Sequence, residues 1–188
     1  MALSPASRTH LIDIARVALI DTLAKKQPSA IPLVEDAELN LPAGCFVSLH
    51  ERSTHRLRGC VGRLDASLAL AEAVRQTARD VLDDPRFAEH PITAADLADL
   101  EVEVSVLSPP RLADSPLDFD LHDEGIYLVA GSHTGFFLPQ VARETGWTKE
   151  QLLDRLCTEK LDLPADTWRK AETKLHTFKV EVVGPRPL

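Results

Sequence analysis

The segment Leu57-Arg58-Gly59-Cys60-Val61-Gly62 decides how this chain is read. It lies in an alternating, strand-like run, yet it sets two glycines around a cysteine. Glycine in a strand loses conformational entropy and packs no side chain, so it marks a bulge or a close backbone approach. Strict alternation puts Arg58, Cys60 and Gly62 on one face and Leu57, Gly59 and Val61 on the other. A guanidinium and a thiol then share a face, separated by a residue with no side chain.

Just upstream, Cys45-Phe46-Val47-Ser48-Leu49-His50 reads as a partner strand. With residues 55–61 it makes a hairpin around Glu51-Arg52-Ser53-Thr54. A symmetric loop sets Cys45 opposite Cys60 and His50 opposite His55; a slip of one residue breaks both pairs. Downstream, Asp65 or Ser67 caps a helix whose buried stripe is Leu70, Val74, Ala78 and Val81. That helix ends near Asp84-Pro85-Arg86-Phe87, and residues 93–97 form a short capped turn. Residues 100–107 are the clearest strand, with Val102, Val104 and Val106 on one face and Glu101, Glu103 and Ser105 on the other. Residues 108–123 are irregular and acidic.

The order then returns. Residues 125–130 and 134–138 form a hairpin across Gly131-Ser132-His133. Pro139 opens a helix ending at Gly146, and Thr148 with Gln151 is a capping box for a second, whose Leu152, Leu156 and Cys157 face inward. A short helix at 165–170 and a strand at 177–182 complete the set. Hairpin, helix and strand thus occur twice, over 45–107 and 125–183. Ahead of both, Ser4 and Pro5 begin a helix with Leu11, Ala15, Leu19 and Leu23 on its stripe, Lys25 and Lys26 near its end and Pro28 as its stop. Residues 27–44 form a Pro-containing link. The pattern predicts an α+β fold in one domain of residues 1–188, with a largely antiparallel sheet from two related halves and helices outside.

Composition narrows the function. The 188 residues carry a net charge of −8, which argues against binding a nucleic-acid backbone or an anionic membrane surface. No apolar run approaches the roughly 20 residues of a membrane-spanning helix, and no secretory leader pattern opens the chain. Three cysteines without a CxxC fit reduced thiols in a cytoplasm.

Cys60 reads either as a small buried hydrophobe or as a catalytic thiol whose pKa a neighbouring cation lowers. Arg58 reads as an anion fork or as half of an ion pair with Glu101 or Glu103. Arg86, after Asp84-Pro85, reads as loop-fixing or as ligand chemistry. The candidate ligand-binding set is Arg58, Gly59, Gly62, Glu103 and Arg86, with Cys60 as the candidate catalytic residue. His50 and His55 fall on the face opposite the cysteines, and the spacing matches no standard zinc pattern, so neither metal nor cofactor is assigned.

Several stretches resemble the AMME chromosomal region candidate family, known in prokaryotes as AmmeMemoRadiSam system protein A. They are residues 46–49, the LRGCVG segment 57–62, Asp84-Pro85-Arg86-Phe87, residues 100–107, and Phe137-Leu138-Pro139-Gln140-Val141-Ala142 with Gly146-Trp147. The resemblance runs from about residue 8 to 183. It departs at Ala88-Glu89-His90-Pro91, where relatives tend to have consecutive prolines. It implies a barrel-like antiparallel sheet from two related halves, a cleft near LRGCVG, and association by gene neighbourhood with a Memo-type protein and a radical SAM protein. The chain has no CxxxCxxC cluster, so it is not itself the radical enzyme. The expected function is a component of that pathway that binds an unknown small molecule or modified residue in the cleft. The alternative is a non-catalytic adaptor that uses the same surface to bind a partner protein.

Overall fold

Ser4 starts the first helix as its sequence predicts. Its hydroxyl accepts the Ser7 backbone N–H at 3.1 Å, and Pro5 takes the first helical position, where a missing N–H costs nothing. The computed structural model, which describes residues 2–27 and 36–188, runs this helix, α1, over Pro5–Leu23. Leu11, Ile12, Ala15, Ala18 and Leu19 are buried along one side. Pro28, the expected stop, lies outside the described residues, as does the 28–35 part of the expected link.

The chain forms two compact units, Met1–Leu107 with Glu181–Leu188, and Ser108–Val180. In the first, β1 (Cys45–Glu51) pairs antiparallel with β2 (Leu57–Arg63) on one side and β3 (Leu100–Leu107) on the other. The hairpin exists, but its register differs from the symmetric one. Cys45 lies opposite Arg63, Ser48 opposite Cys60 and His50 opposite Leu57. Two features cause the difference. His55 takes a left-handed conformation (φ 57°) that turns the chain later than expected. Arg58 is an extra residue in β2: Leu49 faces Gly59 while His50 faces Leu57, a β-bulge.

One face of these strands is apolar. Cys45, Val47, Leu49, Val102, Val104 and Val106 join α1 and α2 (Leu70–Asp80) in one core. Fully burying each Val or Leu contributes roughly 1.5–3 kcal/mol. The stripe of α2 is as read, with Leu70, Val74, Ala78 and Val81 all buried. Its start is not. Asp65 and Ser67 bond each other and Arg63 instead of capping, and the first N–H groups of α2 go to loop carbonyls: Leu70 to Leu41 at 2.9 Å and Ala71 to Leu39 at 3.0 Å.

In the second unit, β5 (Glu124–Ala130) and β6 (His133–Phe137) form a hairpin, and β5 also pairs antiparallel with β7 (Lys174–Pro187). The stretch expected to be irregular contains a short strand, β4 (Arg111–Leu112), on the other edge of β7. Helix α3 (Pro139–Thr145) ends at Gly146 in a left-handed conformation. Helix α4 (Lys149–Lys160) opens with the Thr148–Gln151 capping box. Leu152, Leu153, Leu156 and Cys157 join Ile126, Leu128 and Trp168 in a second core. Residues 181–187 of β7 leave this unit and run beside β3 in the first. The class is α+β, and no helix among the described residues is long and apolar enough to cross a membrane.

The glycine of β2 nearest the turn into α2 has a packing reason. Gly62 lies opposite Phe46, and a methyl placed on it would collide with the Phe46 ring. Gly62→Ala is expected to destabilise the protein by about 1–3 kcal/mol through overpacking. In a Phe46→Ala background the same change should turn neutral or stabilising by up to about 1 kcal/mol, because alanine then only removes glycine's entropy loss. Paired denaturant titrations measure this. An equal loss in both backgrounds would place the strain elsewhere.

Candidate functional site

β2 lies at the end of the strand order β2-β1-β3, so half of its peptide groups have no strand to meet. Cys60 is one such residue. Its N–H donates to Asp84 Oδ2 at 2.9 Å, and its carbonyl accepts from Arg86 Nη2 at 2.7 Å. The short 3₁₀ turn Pro85–Phe87 brings these two side chains to the edge. Asp84 caps that turn by accepting the Arg86 N–H at 3.1 Å, and Pro85 fixes its first residue. The two side chains also hold each other, Nε to Oδ1 at 3.1 Å and Nη2 to Oδ2 at 2.7 Å. A carboxylate and a guanidinium thus satisfy both backbone polar groups of Cys60.

The Asp84 side chain is 2% exposed and that of Arg86 58%. The Arg86 guanidinium holds the Asp84 carboxyl at about 2, below its ordinary 3.8. The N–H groups of Cys60 and Arg86 help, and burial opposes them. Arg86 is bonded to Asp84 and Cys60 and so helps to fix this loop, while its guanidinium stays more than half exposed.

Because the Cys60 peptide points outward, Cys60 and Ser48 form a close, non-hydrogen-bonded pair across β2 and β1. Ser48 Oγ donates to Cys60 Sγ at 3.2 Å. On the next strand Ser48 lies opposite Glu103, so a thiol, a hydroxyl and a carboxyl occupy one row across three strands. All three residues are half-buried. Burial pushes the Glu103 carboxyl up; His50 pulls it back and Glu101 adds to the rise. The row offers a nucleophilic sulfur, a hydroxyl that donates to it and a carboxyl, groups suited to contact with a small molecule or a side chain.

The bulge takes Arg58 out of this row, so the expected sharing of a face with Cys60 does not occur. Its Nη1 reaches Glu51 at 3.3 Å and its Nη2 the His90 carbonyl at 3.4 Å. Its ion-pair partner is Glu51, and neither Glu101 nor Glu103 takes that place. Glu101 instead meets His55 at 3.3 Å. Glu51 also binds Arg56 at 2.5 Å, and these partners hold its carboxyl at about 2, Arg56 foremost. Gly59 has a packing reason of its own: a Cβ there would lie 2.9 Å from the Val81 carbonyl. Cys45 and Cys60 are on opposite faces, Cys45 buried against Thr77 at 3.6 Å and Cys60 beside Ser48; His50 shares the Cys60 face. Among the described residues no group of three or more His, Cys, Asp and Glu could hold a metal ion.

The family model AMMECR1 matches residues 12–183. The chain belongs to the AMMECR1 family. It is similar to protein MJ0810 of Methanocaldococcus jannaschii, at 34% identity over 189 residues covering 95% of this chain and 91% of that one. It is similar also to protein TK0174 of Thermococcus kodakarensis, at 33% identity covering 92% and 87%. The crystal structure of uncharacterized protein PH0010 from Pyrococcus horikoshii superposes with a TM-score of 0.82 at 32% identity, covering 95% of each chain.

Three residues of this AMMECR1 site escaped the sequence reading. Ser48 becomes the partner of Cys60 only through the true register. Glu51 was placed in the turn, and it is the last residue of β1. Asp84 carried a usable signal, since Asp before Pro is a cap pattern, but its bond to Cys60 spans 24 residues.

Asp84→Asn is expected to destabilise the protein by about 2 kcal/mol, because Arg86 loses its counter-charge and the Cys60 N–H its charged acceptor. Folding lowers the Asp84 pKa, so its contribution is complete above about pH 4 and fades as pH falls toward about 2. The stability gap between wild type and Asp84→Asn should therefore narrow over that range. Urea titrations at pH 7, 4 and 2.5 measure it, and a gap that widens toward low pH would refute the assignment.

Proposed function

We propose that this AMMECR1 protein binds a small molecule or a modified side chain on the face that carries Cys60, Ser48 and Glu103, with Cys60 as the reactive contact. It serves as one cytoplasmic component of a pathway that includes a Memo-type protein and a radical SAM protein. The family resemblance supports the pathway, and the geometry supports the binding face. One observation carries the reading: Cys60 alone among the three cysteines is half-exposed, and both its backbone polar groups are held by side chains while a hydroxyl donates to its sulfur. Access separates Cys60 from Cys45 and Cys157, although a hydroxyl meets Cys45 Sγ too, that of Thr77 at 3.6 Å. Cys45 and Cys157 are fully buried, and burial pushes both thiols up, Cys45 from 9.0 to about 11.

Two measurements test the proposal. Under limiting iodoacetamide on the native protein, mass mapping should find Cys60 labelled first. Cys45 at about 11 has about a hundredfold less thiolate at neutral pH than an ordinary thiol. A Cys60 as slow as Cys157 would make it a core residue and end its role as reactive contact. Untargeted metabolite capture should then enrich a compound on the wild type that is depleted on Cys60→Ser and retained on Cys157→Ser. Equal capture by all three proteins would move the binding face away from Cys60.

A further inference from the structure

The first turns of α1 and residues 182–186 of β7 border a groove of about 600 Å³, within the roughly 300–1,000 Å³ of small-molecule sites. It shares no residue with the Cys60 row. Its apolar part comes from Ile12 and Val183, both about 5% exposed, with Val182 at the rim. Its charge is unbalanced. Arg8 pairs with Glu181 at 3.1 Å and donates to the Val182 carbonyl at 3.4 Å, yet its side chain stays 45% exposed. Glu181 also accepts the Leu3 N–H, at 3.0 Å and 3.2 Å. The exposed Arg186 side chain has no ion-pair partner among the described residues. Two guanidiniums therefore line the groove, and of these only that of Arg8 is paired with a carboxylate, in a chain whose net charge is −8.

We propose that this groove binds a small oxyanion, phosphate or carboxylate, that carries an apolar group. Arg186 takes the oxyanion through its fork of N–H donors, with Arg8 held beside it by Glu181. Ile12, Val182 and Val183 receive the apolar part. Guanidinium geometry matches both headgroups. The acidic whole disfavours a polyanion, whose remaining charge would meet a negative surface. An extended peptide is disfavoured by Pro185 and Pro187, which remove backbone donors from this stretch of β7.

The test is an NMR titration of the ¹⁵N-labelled full chain with 1-naphthyl phosphate, 1-naphthoate and neutral 1-naphthol. Both anions are expected to shift the N–H signals of Thr9, Ile12, Val183 and Gly184. Naphthol should bind at least about tenfold more weakly, the equivalent of one charged hydrogen bond. The tighter of the two anions identifies the headgroup. Arg186→Glu should weaken anion binding about tenfold or more and Arg186→Lys much less, at unchanged melting temperature, since the side chain is exposed and unpaired. Naphthol binding as tightly as the anions, an Arg186→Glu affinity equal to wild type, shifts confined to other residues, or no shift at millimolar anion would each overturn the proposal. Cys60 labelling is no readout of this groove, so its outcome and that of the thiol reading are separable.

Discussion

A sheet edge cannot leave a peptide half-buried and unpaired, and the first unit is built around how it meets that demand at Cys60. An unsatisfied group there would cost about 1–3 kcal/mol. Asp84 and Arg86 remove that penalty together, one as acceptor and one as donor. The hydrogen bonds to the Cys60 backbone, rather than the ion pair, are the larger effect, because Arg86 is more than half exposed and solvent screens its charge. The arrangement fixes other features in turn. The outward peptide makes Ser48 and Cys60 a close pair. The segment bearing Asp84 brings Val81 against Gly59, which leaves no room there for a side chain.

What the sequence revealed divides by distance along the chain. The Ser4 and Thr148 caps were legible because each hydroxyl serves an N–H three residues on. The strand at 100–107 was legible because alternation is local. The α2 start was not, since its caps are carbonyls of residues 39 and 41, about thirty positions away. The hairpin was recognised but its register was not. That depended on His55 in a conformation more usual for Gly or Asn, and on a bulge that only the partner strand defines. β4 was missed because two exposed residues carry no periodicity.

The site followed the same rule. Cys60, Arg86 and the two glycines were singled out from composition against context, a local judgement. Their roles needed the fold. Arg58 turned away to Glu51 at the bulge, and Glu103 entered the Cys60 row through Ser48 rather than through Arg58. A residue type can nominate chemistry, but only register says which groups share a face.

The division of β7 bears on how the chain emerges during synthesis. Residues 2–107 leave the ribosome before any of the second unit, yet the strand beside β3 is residues 181–187. Until those arrive, β3 has an open edge of backbone donors and acceptors. The carbonyl of Leu100, which finally receives the Leu188 N–H at 3.1 Å, waits behind more than eighty intervening residues. The second unit, contiguous from 108 to 180, has no such wait. The first unit is therefore begun first and finished last, and through that interval its nascent edge is the part of the chain most in need of protection from other strands.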